Sequence, residues 1–295
     1  MAGLVGFETH LVDENADSCR STSGDHQKIL EVQDSLGLHR RRTLYLVRHG
    51  EAAHNVKEAA AQKAEKEACE ALGLSPEETY ERMEEARQNV LKDSSLRDAP
   101  LTEMGKQQAV ECAQRIQEII EQGNLHPPSE AMVSPLTRTL ETCDILLDQL
   151  QLNDAIKAHV RPELQERQTQ YPPDTARCRQ SLLKYSKLND NLSLSKFHFS
   201  GSIDYEVTKN DVETESQVRE SKEMLRERAS KLFHLLMEMD HRHILIVSHK
   251  GYLRELERGL LGLTDSPLFK NAEARVYRVV FTKGDRQLDS VERVA

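Results

Sequence analysis

Three short apolar runs in this sequence each stop at side chains able to do chemistry. Thr43-Leu44-Tyr45-Leu46-Val47 runs into Arg48-His49-Gly50-Glu51, Ala131-Met132-Val133 into Ser134-Pro135-Leu136-Thr137-Arg138, and Ile244-Leu245-Ile246-Val247 into Ser248-His249-Lys250-Gly251. A phosphoryl group is a dianion whose charge spreads over its equatorial oxygens during transfer, so its catalyst needs fixed positive donors and an in-line nucleophile. Arg48 and Arg138 each offer a planar fork of N–H donors, which Lys would supply less specifically. His49 is the candidate nucleophile, because neutral imidazole attacks phosphorus well and the phosphohistidine it forms is labile to water. His249 precedes an expected helix from Gly251 and can complete the pocket near a helix N-terminus, where anions are favoured.

The elements that must position these groups are legible from periodicity. An apolar, β-rich run ending in a polar, Gly-containing turn reads as a buried strand, and open α/β sheets place their chemistry at the carboxyl ends of such strands. Between the runs, Thr102 reads as the N-cap of a helix with apolar residues at 109, 112, 113, 116, 119 and 120, closed by Gly123. Apolar positions 218, 225, 229, 232, 236 and 239 predict one long helix from about Glu215 into the third run. A helix is expected from Arg138 through Leu150, and strands over 156–160, 275–281 and 287–291, the last two joined by the turn Lys283-Gly284-Asp285. Alternating strand and helix gives the α/β class with a mainly parallel sheet.

Arg48-His49-Gly50-Glu51 with Asn55 four residues later, Ser134 to Arg138, Ser248-His249, and Pro100-Leu101-Thr102-Glu103-Met104-Gly105 followed by Gln107 and Gln108 resemble the histidine phosphatase superfamily. More closely, they resemble its phosphoglycerate-mutase-like family, in the R-H-G-E branch. The resemblance runs from about Thr43 to Phe281 and is concentrated in those motifs. It implies a three-layer α/β/α sandwich around the central sheet, with helical and irregular insertions. It also implies that His249 helps bind and polarise the phosphoryl group and that Asn55 contacts it.

A leaving alkoxide needs a proton, so the site needs an acid. The best candidate is Glu166 in Leu164-Gln165-Glu166, just past the strand ending near Val160, and the family carries its general acid in a comparable stretch. A carboxyl facing a phosphate dianion has its pKa raised toward working range. Glu163 is the runner-up. The family commonly has Gly after its second His, whereas this chain has Lys250, as a cation at the pocket rim or a side chain in solvent.

The expected organisation is an N-terminal arm over 1–42 and a single domain over 43–295 with insertions at about 57–98 and 167–213. The arm lacks sustained periodicity; it is mobile, or it docks through Leu30, Val32, Leu36 and Leu38. In the first insertion, Ser75-Pro76-Glu77-Glu78 opens a helix with only a thin apolar stripe of Tyr80, Met83 and Val90, so it is expected to lie over the domain. The second insertion, with Pro172-Pro173 and many polar residues, reads as irregular and as a lid, a substrate loop or a solvated excursion.

These features point to a metal-independent phosphomonoesterase acting on a small molecule through phosphohistidine, with no cofactor. A mutase returning the phosphoryl group to a second hydroxyl and a non-catalytic phosphate-binding scaffold are the alternatives. Mutase-type sequence around the acid is missing from 166–179. His241-Arg242-His243 could place two imidazoles on one strand face, but no Asp or Glu stands at a metal-ligand spacing from them, so no metal site is expected there. Five cysteines without a C-x-x-C pair point to reduced thiols and, with no secretory or transit pattern, to the cytoplasm.

The 295 residues include 40 Lys plus Arg against 49 Asp plus Glu, a net charge of -9. No apolar run is long enough to span a bilayer, and an acidic chain is unsuited to general nucleic-acid binding, so neither membrane nor nucleic acid is an expected partner. The sequence is silent on oligomeric state. The acidic balance, concentrated in the arm and the first insertion, predicts a repulsive rim around the pocket and rates on anionic substrates that rise with moderate salt.

Overall fold

The computed structural model describes residues 39–189, 192–199, 219–282 and 287–295. Its strands are β1 (His39–Arg48), β2 (Glu130–Val133), β3 (Ala158–Val160), β4 (Phe197–Phe199), β5 (His243–Ser248), β6 (Ala274–Thr282) and β7 (Gln287–Arg293). They form one sheet in the order β4-β3-β2-β5-β1-β6-β7. From β4 to β1 every pairing is parallel; β6 and β7 complete the sheet antiparallel. This is an α/β fold with a mainly parallel sheet, as the alternation of elements predicts.

The strand pattern explains the layering. In β1, Tyr45 and Val47 join one apolar cluster while Leu44 and Leu46 join the other, and all four are fully buried. A strand apolar on both faces is stable only between two covering layers, each such side chain contributing about 1.5–3 kcal/mol on burial. On the Tyr45 side lie helices α3 (Glu103–Gln122) and α4 (Thr137–Gln149), through Ala113, Ile116, Leu140 and Leu146. On the Leu46 side lie α6 (Lys222–Ser230), α7 (Leu232–Glu238) and α8 (Lys250–Arg258), through Leu225, Leu236 and Leu253.

Thr102 caps α3 as expected, its hydroxyl accepting from the Gly105 amide at 3.0 Å, and Gly123 follows the last turn. The long helix expected into β5 is two helices, α6 and α7, broken at Lys231; residues 215–218 lie outside the described residues.

β1 begins at His39, so four residues assigned to the arm belong to the sheet. Arg40, Arg41 and Arg42 pair with Phe281, Val280 and Val279. The buried Arg42 guanidinium donates from Nε to Leu236 O at 3.2 Å and from Nη2 to Met239 O at 2.6 Å, satisfying carbonyls at the end of α7 that have no helical partner. Residues 1–38, including Leu30, Val32, Leu36 and Leu38, lie outside the described residues.

The first insertion is a pair of helices, α1 (Ala53–Leu72) and α2 (Pro76–Leu91), joined at Gly73, whose φ of 66° is the left-handed conformation a helix end favours. Ser75 and Glu78 form the predicted capping box. Arg87 reaches back to Glu58 at 2.8 Å, clamping the pair together. The second insertion is not irregular throughout. It contains a 3₁₀ turn (Pro172–Asp174), helix α5 (Arg179–Leu188) and the edge strand β4; residues 200–213 lie outside the described residues.

Candidate active site

Three parallel strands end side by side. Val133, Val247 and Val47 stand in register across β2, β5 and β1, so Ser134, Ser248 and Arg48 follow at one edge of the sheet. The His49 amide donates to Ser248 O at 3.0 Å and the Ser134 amide to Val247 O at 3.1 Å, which extends the ladder into the loops that carry the chemistry. A cleft of about 250 Å³ opens there, and Arg48, His49, Asn55, Arg138 and Glu166 all line it.

The His49 ring is buried, with Nδ1 2.6 Å from Gly50 O. A carbonyl only accepts, so Nδ1 carries the hydrogen and Nε2 keeps its lone pair. Burial, then the Arg138 and Arg48 guanidiniums, hold its pKa well below the usual histidine range. The imidazole is therefore neutral at physiological pH, the state in which it is a nucleophile. The loop approaches α3 closely: a Cβ on Gly50 would lie 2.3 Å from Gly105 O, and one on Gly105 would lie 2.0 Å from Glu51 O. Glu51 is a brace, accepting from the Thr102 hydroxyl at 2.7 Å.

Arg138 is 1% exposed. Its Nη1 donates to Pro173 O at 2.6 Å and its Nη2 to Asp174 at 3.2 Å, while Nε has no partner. Arg48 donates from Nη1 to Phe269 O at 2.9 Å, and its Nε is likewise buried and unpartnered. Unsatisfied buried donors are costly and rare, and these two stand beside one cleft with hydrogens free to donate.

His249, the N-cap residue of α8, packs its ring 5.2 Å from that of His49 and places Nε2 2.7 Å from Ser134 Oγ. Its Nδ1 is buried without a partner, and burial followed by Arg138 lowers its pKa well below the ordinary value. Glu166 accepts from the Arg167 amide at 2.9 Å and the Gly251 amide at 3.1 Å, which sets its carboxylate at the start of α8. Glu163 does not line the cleft. Lys250 does, exposed at the rim.

Asn55 stands in the first turn of α1. Its Oδ1 accepts from the Ala52 amide at 3.1 Å, so its Nδ2 is the atom that donates to His54 Nε2 at 3.0 Å. His54 escaped sequence reasoning. It is buried in the cleft 6.3 Å from the His49 ring, and burial followed by Arg138 and Arg48 brings its pKa down to about 2. Its adjacency to Asn55 was the available signal. Asp174 was also missed: burial lifts its carboxyl to about 6 against the pull of Arg138. Nothing in the surrounding polar insertion marked it.

The carboxylate that His241 meets comes from β2. Glu130 places one oxygen 3.2 Å from His241 Nε2 and the other 3.3 Å from His159 Nε2. No helix among the described residues is long and apolar enough to cross a membrane.

Two arginines and three imidazoles thus gather at the ends of parallel strands. The chain belongs to branch 1 of the histidine phosphatase superfamily, whose family model matches residues 44–171 and 202–293. No curated protein sequence matches it. Similar solved structures include a phosphoglycerate mutase from Bacillus anthracis str. Sterne, with 17% identity over 87% of this chain and 93% of that one and a TM-score of 0.48. The ecdysone phosphate phosphatase from Bombix mori, in complex with tungstate, shares 16% identity over 84% and 92%, with a TM-score of 0.47. A mycobacterial glucosyl-3-phosphoglycerate phosphatase shares 14% over 85% and 96%, also at 0.47. Likeness this distant says nothing about the substrate of this chain.

Proposed function

We propose that the protein is a phosphomonoester hydrolase that works through a phosphohistidine on His49. Its Nε2 attacks phosphorus and the ester P–O bond breaks, while Glu166 gives its proton to the leaving oxygen. Water then attacks the phosphohistidine, Glu166 takes the water's proton, and inorganic phosphate leaves His49 with its lone pair restored. Arg48, Arg138, His249 and the Asn55 amide hold the phosphoryl oxygens, replacing water with donors already fixed in place. The observation that carries this reading is a neutral, tautomerically fixed His49 between two arginines whose Nε donors have no protein partner.

Rapid quenching with a radiolabelled phosphomonoester tests it: acid-labile label should accumulate on His49. Normal turnover by His49→Ala would sink the mechanism. Return of the phosphoryl group to a second hydroxyl is separated from hydrolysis by product analysis with 3-phosphoglycerate, with and without a bisphosphate primer. Free phosphate as the main product in both supports the hydrolase.

A further inference from the structure

Beyond the phosphoryl pocket, the cleft is lined by cations that the two-step reaction does not use. Arg87, Arg167, Arg219, Lys222, Lys250 and Arg254 all face it. Some are matched: Arg87 bonds Glu58 and Glu84, and Arg219 lies over the Tyr171 ring. Cleft carboxylates are spoken for as well, Asp174 by Arg138 and Glu255 by Arg226. The side chains of Arg167, Lys222, Lys250 and Arg254 make no hydrogen bond or ion pair among the described residues, and Arg254 Nε is buried without an acceptor.

Local physics does not favour this placement. Lys250 is the first residue of α8, where the helix dipole favours an anion, and Arg254 follows one turn later on the same helix face, where like charges repel. Desolvation by the cleft wall and then Arg48 lower the pKa of the Lys250 ammonium, with Glu166 and Glu58 opposing. A sequence that breaks local rules at a cleft is compensated by function there. The cleft volume, about 250 Å³, also exceeds what a phosphoryl group fills.

Building on the phosphatase reading, we infer that the substrate carries a second anionic group, a phosphate or a carboxylate, bound by Lys250 and Arg254 of α8 together with Arg167. The phosphoryl end lies against His49 and the second anion against this cationic wall. Binding then neutralises like charges that stand close together on α8. The fixed separation of the two anion sites makes the length of the molecule between its charges the main determinant of specificity.

Non-hydrolysable probes test this without requiring turnover. Affinities of the full chain are measured for alkyl monophosphonates, α,ω-bisphosphonates and ω-carboxyalkyl phosphonates of matched, increasing chain length. At one length the doubly charged probes should bind at least tenfold more tightly than the monophosphonate, and comparing bisphosphonate with carboxyalkyl phosphonate identifies the second anion. In Lys250→Gln/Arg254→Gln that advantage should fall below threefold, and Lys250→Arg should retain it, which separates charge recognition from misfolding. Equal affinity for singly and doubly charged probes at every length, or an advantage that survives in the double variant, overturns the second site and leaves the phosphatase reading standing. Failure of every phosphonate to bind overturns that reading, and this inference with it.

Discussion

The Glu166 carboxylate occupies the space that a side chain on residue 251 would need: a Cβ on Gly251 would lie 2.2 Å from Glu166 Oε1. The Gly251 amide in turn donates to Glu166 Oε2 at 3.1 Å. Glycine is therefore required here by the Glu166 carboxylate and not by the backbone. Gly251→Ala should push the carboxylate out of the cleft while improving helix propensity in α8. Turnover is expected to fall about a hundredfold or more, within the range of general acid catalysis, with an unfolding midpoint little changed. Wild-type turnover in this variant would show that Glu166 is not placed by this contact.

Glu166→Gln separates the two steps. Phosphoryl transfer to His49 should slow most for esters with poor leaving groups, and pre-steady-state rates across a series of phenyl and alkyl phosphates would show a steeper dependence on leaving-group pKa. Equal slowing of all esters would count against proton donation by Glu166.

Asp98 holds Arg138 in place without touching the cleft. It is fully buried, has a left-handed φ of 47°, and accepts from Thr137 N at 2.7 Å, Thr137 Oγ1 at 2.6 Å and the Arg177 amide at 3.1 Å. It thus caps α4 from a distant loop and anchors the turn that carries Arg138. Asp98→Ala leaves buried donors unpaired and puts Ala in a disfavoured backbone region, so denaturant unfolding should show a loss of about 2–5 kcal/mol. Asp98→Asn, which tolerates the left-handed conformation, should lose less stability but still raise KM.

Stability should depend on pH through the three buried imidazoles. His49, His54 and His249 all have folded-state pKa values below their ordinary 6.5, so the unfolded chain binds more protons as pH falls through that value. Stability present above pH 6.5 is lost on acidification, by up to about 1.4 kcal/mol per pH unit for each histidine. Asp174, raised to about 6, takes its proton first in the folded state and offsets part of the loss below that pH. Urea titrations from pH 7.5 to 5 should show falling midpoints, with a shallower slope in His54→Gln. A flat profile would contradict the neutral imidazoles.

Salt should slow the enzyme at subsaturating substrate. The net charge of -9 suggested a repulsive rim and acceleration by salt, but the described rim of the cleft carries the unpaired cations of α8 and its neighbours. Local field at a cleft outweighs distant charge once the Debye length is near 10 Å. The specificity constant for an anionic ester should therefore fall steadily as NaCl is raised from low to above physiological strength. A rise would restore the acidic-rim picture.

What the sequence reveals here follows from distance along the chain. The three strand ends and the Thr102, Ser75 and Gly123 helix boundaries are local patterns, and each stands where expected. β4 spans only three residues, too few for an alternation to show. The break at Lys231 has no Gly or Pro to announce it. His54 and Asp174 reach the cleft from inserted elements, and only the entry of α1 at Ala53 and the turn after Pro172-Pro173 bring them in. Arg40 to Arg42 fall within the expected arm because the carbonyls that Arg42 satisfies lie far along the chain, at the end of α7.

The position of β1 in the sheet bears on how the protein is made. Among the described strands it is the first to leave the ribosome, yet its two neighbours begin only at His243 and Ala274. Until those segments are translated, Leu44 to Val47 remain an apolar ribbon with both edges open, the kind of surface that aggregates or engages chaperones. Long-range pairing of this sort also folds slowly. Arg48 and His49 therefore acquire their surroundings only once β5 and β6 have been made, and a chain interrupted before β5 is a liability to the cell.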